Sequence, residues 1–184
     1  MLIARPAKRD AKTRFAADAR VDYFRDGEPI VGLVYAVGPE TATITLGGEV
    51  FRFARERPRK DEALTQAGIR VALGKVKPPP NPILLTDASG RMLAKALETG
   101  RGSAIAMGED RFELRRHSVF SRRFDLYREG GSTPLGSVGQ KSMFSTELTS
   151  DLPPEAPELL QAFLFALLFD MTFVSLDRSS HWSG

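Results

Sequence analysis

The sequence predicts a mainly β protein: a closed antiparallel barrel of about twelve strands, in two pseudo-repeats, that encloses one hydrophobic C-terminal helix. Three observations support this fold class. Short runs of alternating apolar residues are separated by turn residues, some of these runs recur at a fixed spacing, and the chain carries an almost wholly apolar stretch near its C-terminus. With 184 residues, of which 42% are hydrophobic and 27% charged, the chain is large enough to bury its own core in one domain.

The clearest hairpin signal is "TITLGGEVFRFARE", residues 43–56. Ile44 and Leu46 share one face of the first arm, the glycine pair makes the turn, and Phe51 and Phe53 line up on the return arm. Two alternating runs joined by a short glycine turn are typical of a β-hairpin. Similar patterns predict hairpins over residues 82–98, 103–117 and 122–141.

Some of the hairpins resemble one another at a spacing of 61 residues. The shift superposes Leu46 on Met107, Gly47 on Gly108, Phe51 on Phe112, Phe53 on Leu114 and Arg55 on Arg116. Repetition of this kind indicates copies of one structural unit. We therefore predict two halves of about six strands each, with Phe51 and Phe112 pointing inward at equivalent positions about an approximate two-fold axis.

The C-terminal stretch is apolar on every side, because 14 of the 18 residues from 159 to 176 are apolar. Such a helix must be covered all round by lipid or by protein. A barrel of about twelve strands is too wide to be filled by its own side chains, so a buried helix over residues 156–176 would fill it. Ser150 or Asp151 is expected to cap this helix. Asp170 is expected to accept hydrogen bonds from an arginine or from the backbone near one end of the barrel.

A membrane span is the alternative for this stretch. It is long enough to cross a bilayer, and its position suits a tail anchor. Against this, the chain has no lysine or arginine between Lys141 and Arg178, and the strands would lose their core. The buried helix is therefore the favoured prediction.

The domain boundaries and the location follow from the N-terminus. Residues 1–19 are predicted to form a mobile basic arm, and residues 20–184 a single barrel domain. The arm contains no apolar stretch of secretory type, so a cytoplasmic location is expected.

The chain has no cysteine and only two histidines, which excludes disulfides, thiolate sites and histidine cages. Neither a metal nor a cofactor is predicted, and the net charge of +3 is too small to predict nucleic-acid binding.

The densest group of cations lies in "RRHSVFSRR" and is the predicted ligand site. It consists of Arg115, Arg116, His117, Arg122 and Arg123. Strand alternation places Arg116 and Arg122 inward at the mouth of the barrel, where guanidinium groups could hold a phosphate. In the alternative interpretation, Arg115 and Arg123 are solvated on the outer face, while Arg116 and Arg122 only cap the barrel end.

Four stretches together resemble a known superfamily: "ILLTDASGRMLAKAL", "RFELRRHSVFSRRFDLYREG", "PLGSV" and "PELLQAFLFALLFDMTFVSL". They are similar to the tubby C-terminal-like superfamily, and most of all to its phospholipid scramblase and LURP-one-related branch. The resemblance implies a twelve-stranded barrel around a C-terminal helix, and often the binding of anionic phospholipid headgroups by basic residues. No cysteine-rich palmitoylation segment and no acidic calcium loop before the helix are present, so calcium-driven lipid scrambling is not expected.

These observations predict a non-enzymatic binding module, located in the cytoplasm or peripherally at the inner membrane surface. Its expected partner is an anionic membrane surface, such as one containing phosphoinositides, or another protein. Two alternatives remain open. One is an enzyme that uses the arginines at the barrel mouth on a phosphorylated small molecule, and the other is a tail-anchored membrane protein.

Overall fold

The computed structural model describes residues 2–6, 18–25, 28–36, 41–56, 81–99, 102–118, 121–141 and 147–171. These residues form twelve strands and one α-helix, so the prediction of a mainly β protein with one C-terminal helix is confirmed. The strands are β1 (Leu2–Pro6), β2 (Asp18–Arg25), β3 (Glu28–Ala36), β4 (Thr41–Leu46), β5 (Glu49–Arg55), β6 (Ile83–Thr86), β7 (Met92–Thr99), β8 (Gly102–Met107), β9 (Asp110–Arg116), β10 (Arg123–Arg128), β11 (Gly136–Gln140) and β12 (Leu148–Asp151). The helix, α1, spans Glu158–Phe169.

Every strand pairs antiparallel with the next strand along the chain. The four predicted hairpins are confirmed as β4–β5, β6–β7, β8–β9 and β10–β11. Gly47 and Gly108 occupy the first and third of these turns with φ of 58° and 59°, a left-handed conformation that glycine adopts without steric cost. Local turn chemistry therefore accounts for the hairpins.

Part of the predicted N-terminal arm belongs to the sheet, which corrects the expectation of a mobile arm over residues 1–19. β1 pairs with β2 on one side and with β12 on the other, where Ile3 lies opposite Thr149. The physical reason is that β2 and β12 each present unpaired backbone N–H and C=O groups, which β1 satisfies. Residues 7–17 of the predicted arm lie outside the described part of the chain.

The helix begins later than the sequence predicts. Its N-cap is Pro157, which makes no side-chain capping hydrogen bond, so the predicted cap at Ser150 or Asp151 is wrong. Both of those residues are in β12, because their backbone pairs with β11. Described helical structure continues through Asp170 and Met171. The predicted extension to residue 176 lies outside the described residues.

The helix packs among the inward side chains of the sheet. All nine residues from 160 to 168 are buried. The ring of Phe163 meets Phe53 with centroids 5.9 Å apart, and that of Phe165 meets Tyr23 at 4.9 Å. An apolar helix surrounded by apolar strand faces is thus covered by protein. Within the described residues, no helix is long and apolar enough to cross a membrane.

The internal repeat is only partly as predicted. Phe51 and Phe112 are both buried, 6% and 7% exposed, so their predicted inward placement in the two hairpins is confirmed. The matched hairpins are β4–β5 and β8–β9, however, and they are related by a shift of four strands along the described strand order. Two halves of six strands related by a two-fold axis would require a shift of six strands. The prediction of such halves is therefore wrong, because among the described strands only β6 and β7 separate the matching hairpins.

Candidate functional site

One border of the sheet gathers the arginines of interest. In an antiparallel sheet alternate strands run in the same direction, so the C-terminal ends of β5, β7 and β9 lie at the same border as the start of β10. This border carries Arg55, Glu98, Arg116 and Arg122. We call it the arginine edge.

A buried ion cluster occupies part of the arginine edge and ties the helix to the sheet. The Arg55 guanidinium donates through Nη2 to Asp170 Oδ2 and, at 2.7 Å, to Glu98 Oε1. The side chains of Arg55, Asp170 and Glu98 are 9%, 3% and 30% exposed. Burial by itself lowers the pKa of Arg55, but hydrogen bonds and charge from the two carboxylates outweigh it and raise that pKa. The prediction that Asp170 accepts from an arginine is confirmed.

Arg116 occupies the position in β9 that corresponds to Arg55 in β5, yet it is exposed. Its register partner on β10 is Phe124, and its Cζ lies 5.5 Å from the centroid of that ring. A guanidinium held against an aromatic face keeps its in-plane N–H groups available. Among the described residues, Arg116 forms no ion pair.

Arg122 lies two residues before the inward-facing Phe124 and so shares the register of the inner face. Its Nη1 donates to Gln140 Oε1 at 2.9 Å, while its backbone carbonyl accepts from the Gln140 N–H at 3.2 Å. Gly139 permits this close approach, since a Cβ there would lie 2.6 Å from the Arg122 carbonyl oxygen. Arg122 is thus fixed by a neutral amide, and its charge is not neutralised by any carboxylate within the described ranges.

Arg115 points to the other face of the sheet and is paired. Its Nε donates to Glu113 Oε2 at 2.8 Å, and its Cζ lies 4.4 Å from the centroid of the Tyr127 ring. The hydrogen bond from Arg115 holds the pKa of Glu113 below its ordinary value. The charge of Arg115 is therefore balanced on the protein itself.

Arg123 and His117 also find partners on the outer face. Arg123 donates through Nε to the Ser137 hydroxyl at 2.8 Å, and its Nη2 lies 3.7 Å from Asp151 Oδ2. His117 Nδ1 lies 2.8 Å from Asp125 Oδ2. Both residues therefore stand beside carboxylates.

The five predicted ligand residues are thus divided between two faces. The structure places Arg116 and Arg122 on the inner-face register at the arginine edge, and it places Arg115, His117 and Arg123 on the outer face. Sequence reasoning missed Gln140. A signal for it existed, because the hairpin register that pairs Phe124 with Val138 brings residue 140 opposite residue 122.

Two further polar groups are buried elsewhere in the described core. Burial raises the pKa of the Tyr23 hydroxyl well above its ordinary value. Neither this hydroxyl nor that of Ser150 has a hydrogen-bond partner among the described residues. The described part of the chain contains no group of three or more histidine, aspartate or glutamate side chains arranged to hold a metal ion.

Comparison with protein-family models, with curated proteins and with solved structures finds no match to this chain. The function must therefore be argued from the arginine edge itself.

Proposed function

We propose that this protein is a non-enzymatic binding module that holds the anionic headgroup of a phospholipid at Arg116 and Arg122. One observation carries the proposal. These two arginines are positioned by neutral contacts, an aromatic ring and an amide, whereas the neighbouring cations of the same segment face carboxylates. The pair therefore offers oriented donors with uncompensated positive charge.

The chemistry of guanidinium groups supports this function. Charge-assisted hydrogen bonds to phosphate are roughly twice as strong as neutral ones, and the planar fork of arginine engages two oxygens at once. Both side chains are exposed, so a headgroup at a membrane surface can reach them. Binding in place of catalysis is favoured because the nearby histidine, His117, lies on the outer face beside Asp125.

We also propose that the sheet closes into a barrel around the helix, as the resemblance to the tubby C-terminal-like superfamily implies. Two observations support closure. The ladder between β1 and β12 joins three residue pairs, and the helix residues 160–168 are buried throughout. A closed barrel would hold β9, β10 and β11 rigidly at the arginine edge, which reduces the entropy lost when a ligand binds.

Flotation of the purified protein with vesicles tests the proposed function. The chain should float with phosphatidylcholine vesicles that contain phosphatidylglycerol, and binding should fall steeply with salt because exposed charges are screened. Changing Arg116 and Arg122 together to Gln should remove most of this binding. If the wild-type protein ignores acidic vesicles even at low salt, the lipid-binding proposal fails.

A control with the same change in charge distinguishes a site from general attraction. Arg111 and Arg128 are exposed and lie at the opposite border of the sheet, at the start of β9 and the end of β10. Changing both to Gln removes the same two charges and should leave binding nearly unchanged. An equal loss in both double variants would show that only net charge matters.

A further inference from the structure

The chemical class of the headgroup can be argued from the donors that Arg116 and Arg122 present, given the proposed binding function. Arg116 lies opposite Phe124, and Arg122 precedes that residue by two positions on the same face. The two arginines are therefore diagonal neighbours across an antiparallel pair, at a backbone separation of about 7–8 Å. Long side chains at that spacing can both reach one small anion between them.

Gln140 adds a third donor at the same place. Arginine can only donate hydrogen bonds, so the atom of Gln140 that faces Arg122 Nη1 must be its carbonyl oxygen. The Gln140 amide nitrogen then carries two N–H groups beside the Arg122 guanidinium. The double attachment of Gln140 to Arg122, by side chain and by backbone, fixes both groups relative to each other.

We propose that this set of donors selects phosphate monoesters over phosphate diesters. A monoester exposes three terminal oxygens and carries about −1.5 to −2 charge at neutral pH. Two guanidinium groups supply two positive charges, and with the Gln140 amide they supply enough donors for three oxygens. A diester carries one negative charge and only two free oxygens, so one arginine satisfies it and the second adds little.

The test compares phosphatidic acid, a monoester, with phosphatidylglycerol, a diester, in phosphatidylcholine vesicles at pH 7.4. The vesicles are adjusted to equal zeta potential, so that a general attraction to negative surfaces cannot produce a difference. The expected result is at least about tenfold tighter binding to phosphatidic acid, the effect of roughly one further charge-assisted hydrogen bond. At pH 5 the monoester has lost its second charge, whose pKa is about 6, and the preference should fall to less than about threefold.

Variants assign the preference to residues. Changing Arg116 and Arg122 to Gln should abolish it, and Gln140→Ala should reduce it. Changing Arg115 and Arg123 to Gln is the matched control and should preserve the preference. A preference that survives loss of Arg116 and Arg122 would overturn the inference.

The remaining outcomes separate the inference from the proposed function. Equal binding to both lipids at pH 7.4 would overturn monoester selection and leave lipid binding intact. Failure to bind either lipid, together with failure to bind glycerol 3-phosphate by calorimetry, would overturn both. Binding of glycerol 3-phosphate without binding of either vesicle would support monoester recognition and assign it to a soluble phosphate ester, against the lipid proposal.

Discussion

The role of each arginine depends on the side chains beside it on its own face of the sheet. Arg115 and Arg116 are adjacent in the sequence, yet alternation turns one toward Glu113 on the outer face and the other toward Phe124 at the arginine edge. Two adjacent arginines thus differ in their surroundings: a carboxylate compensates the charge of Arg115, and no carboxylate of the described residues compensates that of Arg116. The amino-acid composition alone does not indicate which of the two arginines is paired with a carboxylate.

The pairing of Asp170 could be predicted from sequence, but its partner could not. A carboxylate within an apolar helix must be hydrogen-bonded when it is buried, and this requirement needs no coordinates. Arg55 is 115 residues away from Asp170 along the chain. Only the relative placement of helix and sheet brings the two side chains together, and no local pattern encodes that placement.

Replacement of Asp170 by Asn should destabilise the fold strongly. The change removes the more deeply buried of the two carboxylates that pair with Arg55 and leaves the partly exposed Glu98. Breaking a buried pair from one side typically costs about 3–5 kcal/mol, and because Glu98 remains, about 3 kcal/mol is expected. Urea unfolding at pH 7 measures this loss.

A second variant checks that the loss comes from the charge of Arg55 that Asp170 no longer balances. Changing Arg55 to Met and Asp170 to Leu together removes both charges and replaces them by apolar groups, so most of the stability should return. If the double variant is less stable than Asp170→Asn, the cluster contributes through packing instead of charge pairing.

The ion pair between Glu113 and Arg115 predicts a pH dependence with a definite sign. The pKa of Glu113 is lowered in the folded state, so its pairing stabilises the fold above the pKa of an unfolded glutamate, about 4.3, and is lost as the pH falls through the lower folded value. Wild type and Glu113→Gln should differ in denaturation midpoint at pH 7 and converge at strongly acid pH. A gap that widens on acidification would contradict the pairing.

Whole elements were easier to predict than contacts, because their signals are local. The β4–β5 and β8–β9 turns follow from glycines that reach φ near +60°, and the inward positions of Phe51 and Phe112 follow from alternation. The start of the helix could not be predicted this way. Ser150 and Asp151 are good capping residues, but their backbones pair with β11, so both residues belong to β12.

The buried helix makes a prediction at the scale of the element. Phe165 is fully buried with its ring against Tyr23, so Phe165→Ala should leave a cavity and cost about 3–5 kcal/mol in unfolding free energy. Met92 is 58% exposed at the start of β7, and Met92→Ala should cost less than about 0.5 kcal/mol. Calorimetric unfolding of both variants gives the comparison. A small loss for Phe165→Ala would mean that the helix is not enclosed.

At the scale of the whole molecule, the proposed closure of the sheet depends on β1, which pairs with both β2 and β12. Strands with an unfilled inner face and an apolar helix that needs covering together predict a barrel, and this prediction does not involve β1. A short strand within a segment rich in basic residues carries little strand signal. The position of β1 follows from the unpaired backbone groups of β2 and β12, which come to lie beside it only when the rest of the sheet has formed.

Closure can be tested by cross-linking, since the natural chain has no cysteine. Ile3 and Thr149 are directly opposite each other in the β1–β12 ladder, and such pairs have Cα atoms about 4.5–5.5 Å apart, within disulfide range. Ile3→Cys with Thr149→Cys should therefore oxidise to an intramolecular disulfide. Ile3→Cys with Ala104→Cys, which joins β1 to the distant β8, should not. Equal yields from the two pairs would contradict closure between β1 and β12.

Binding of the headgroup by Arg116 and Arg122 is tested most directly by following arginine Nε–Hε signals by NMR while soluble dihexanoyl phosphatidic acid is added to the ¹⁵N-labelled protein. We predict that the signals of Arg116 and Arg122 move together and saturably, because their charges are uncompensated and their donors are oriented. The signals of Arg115 and Arg123 should stay in place, because Glu113, Ser137 and Asp151 already engage them. Equal shifts for all four arginines, or no shift at Arg116 and Arg122, would contradict this prediction.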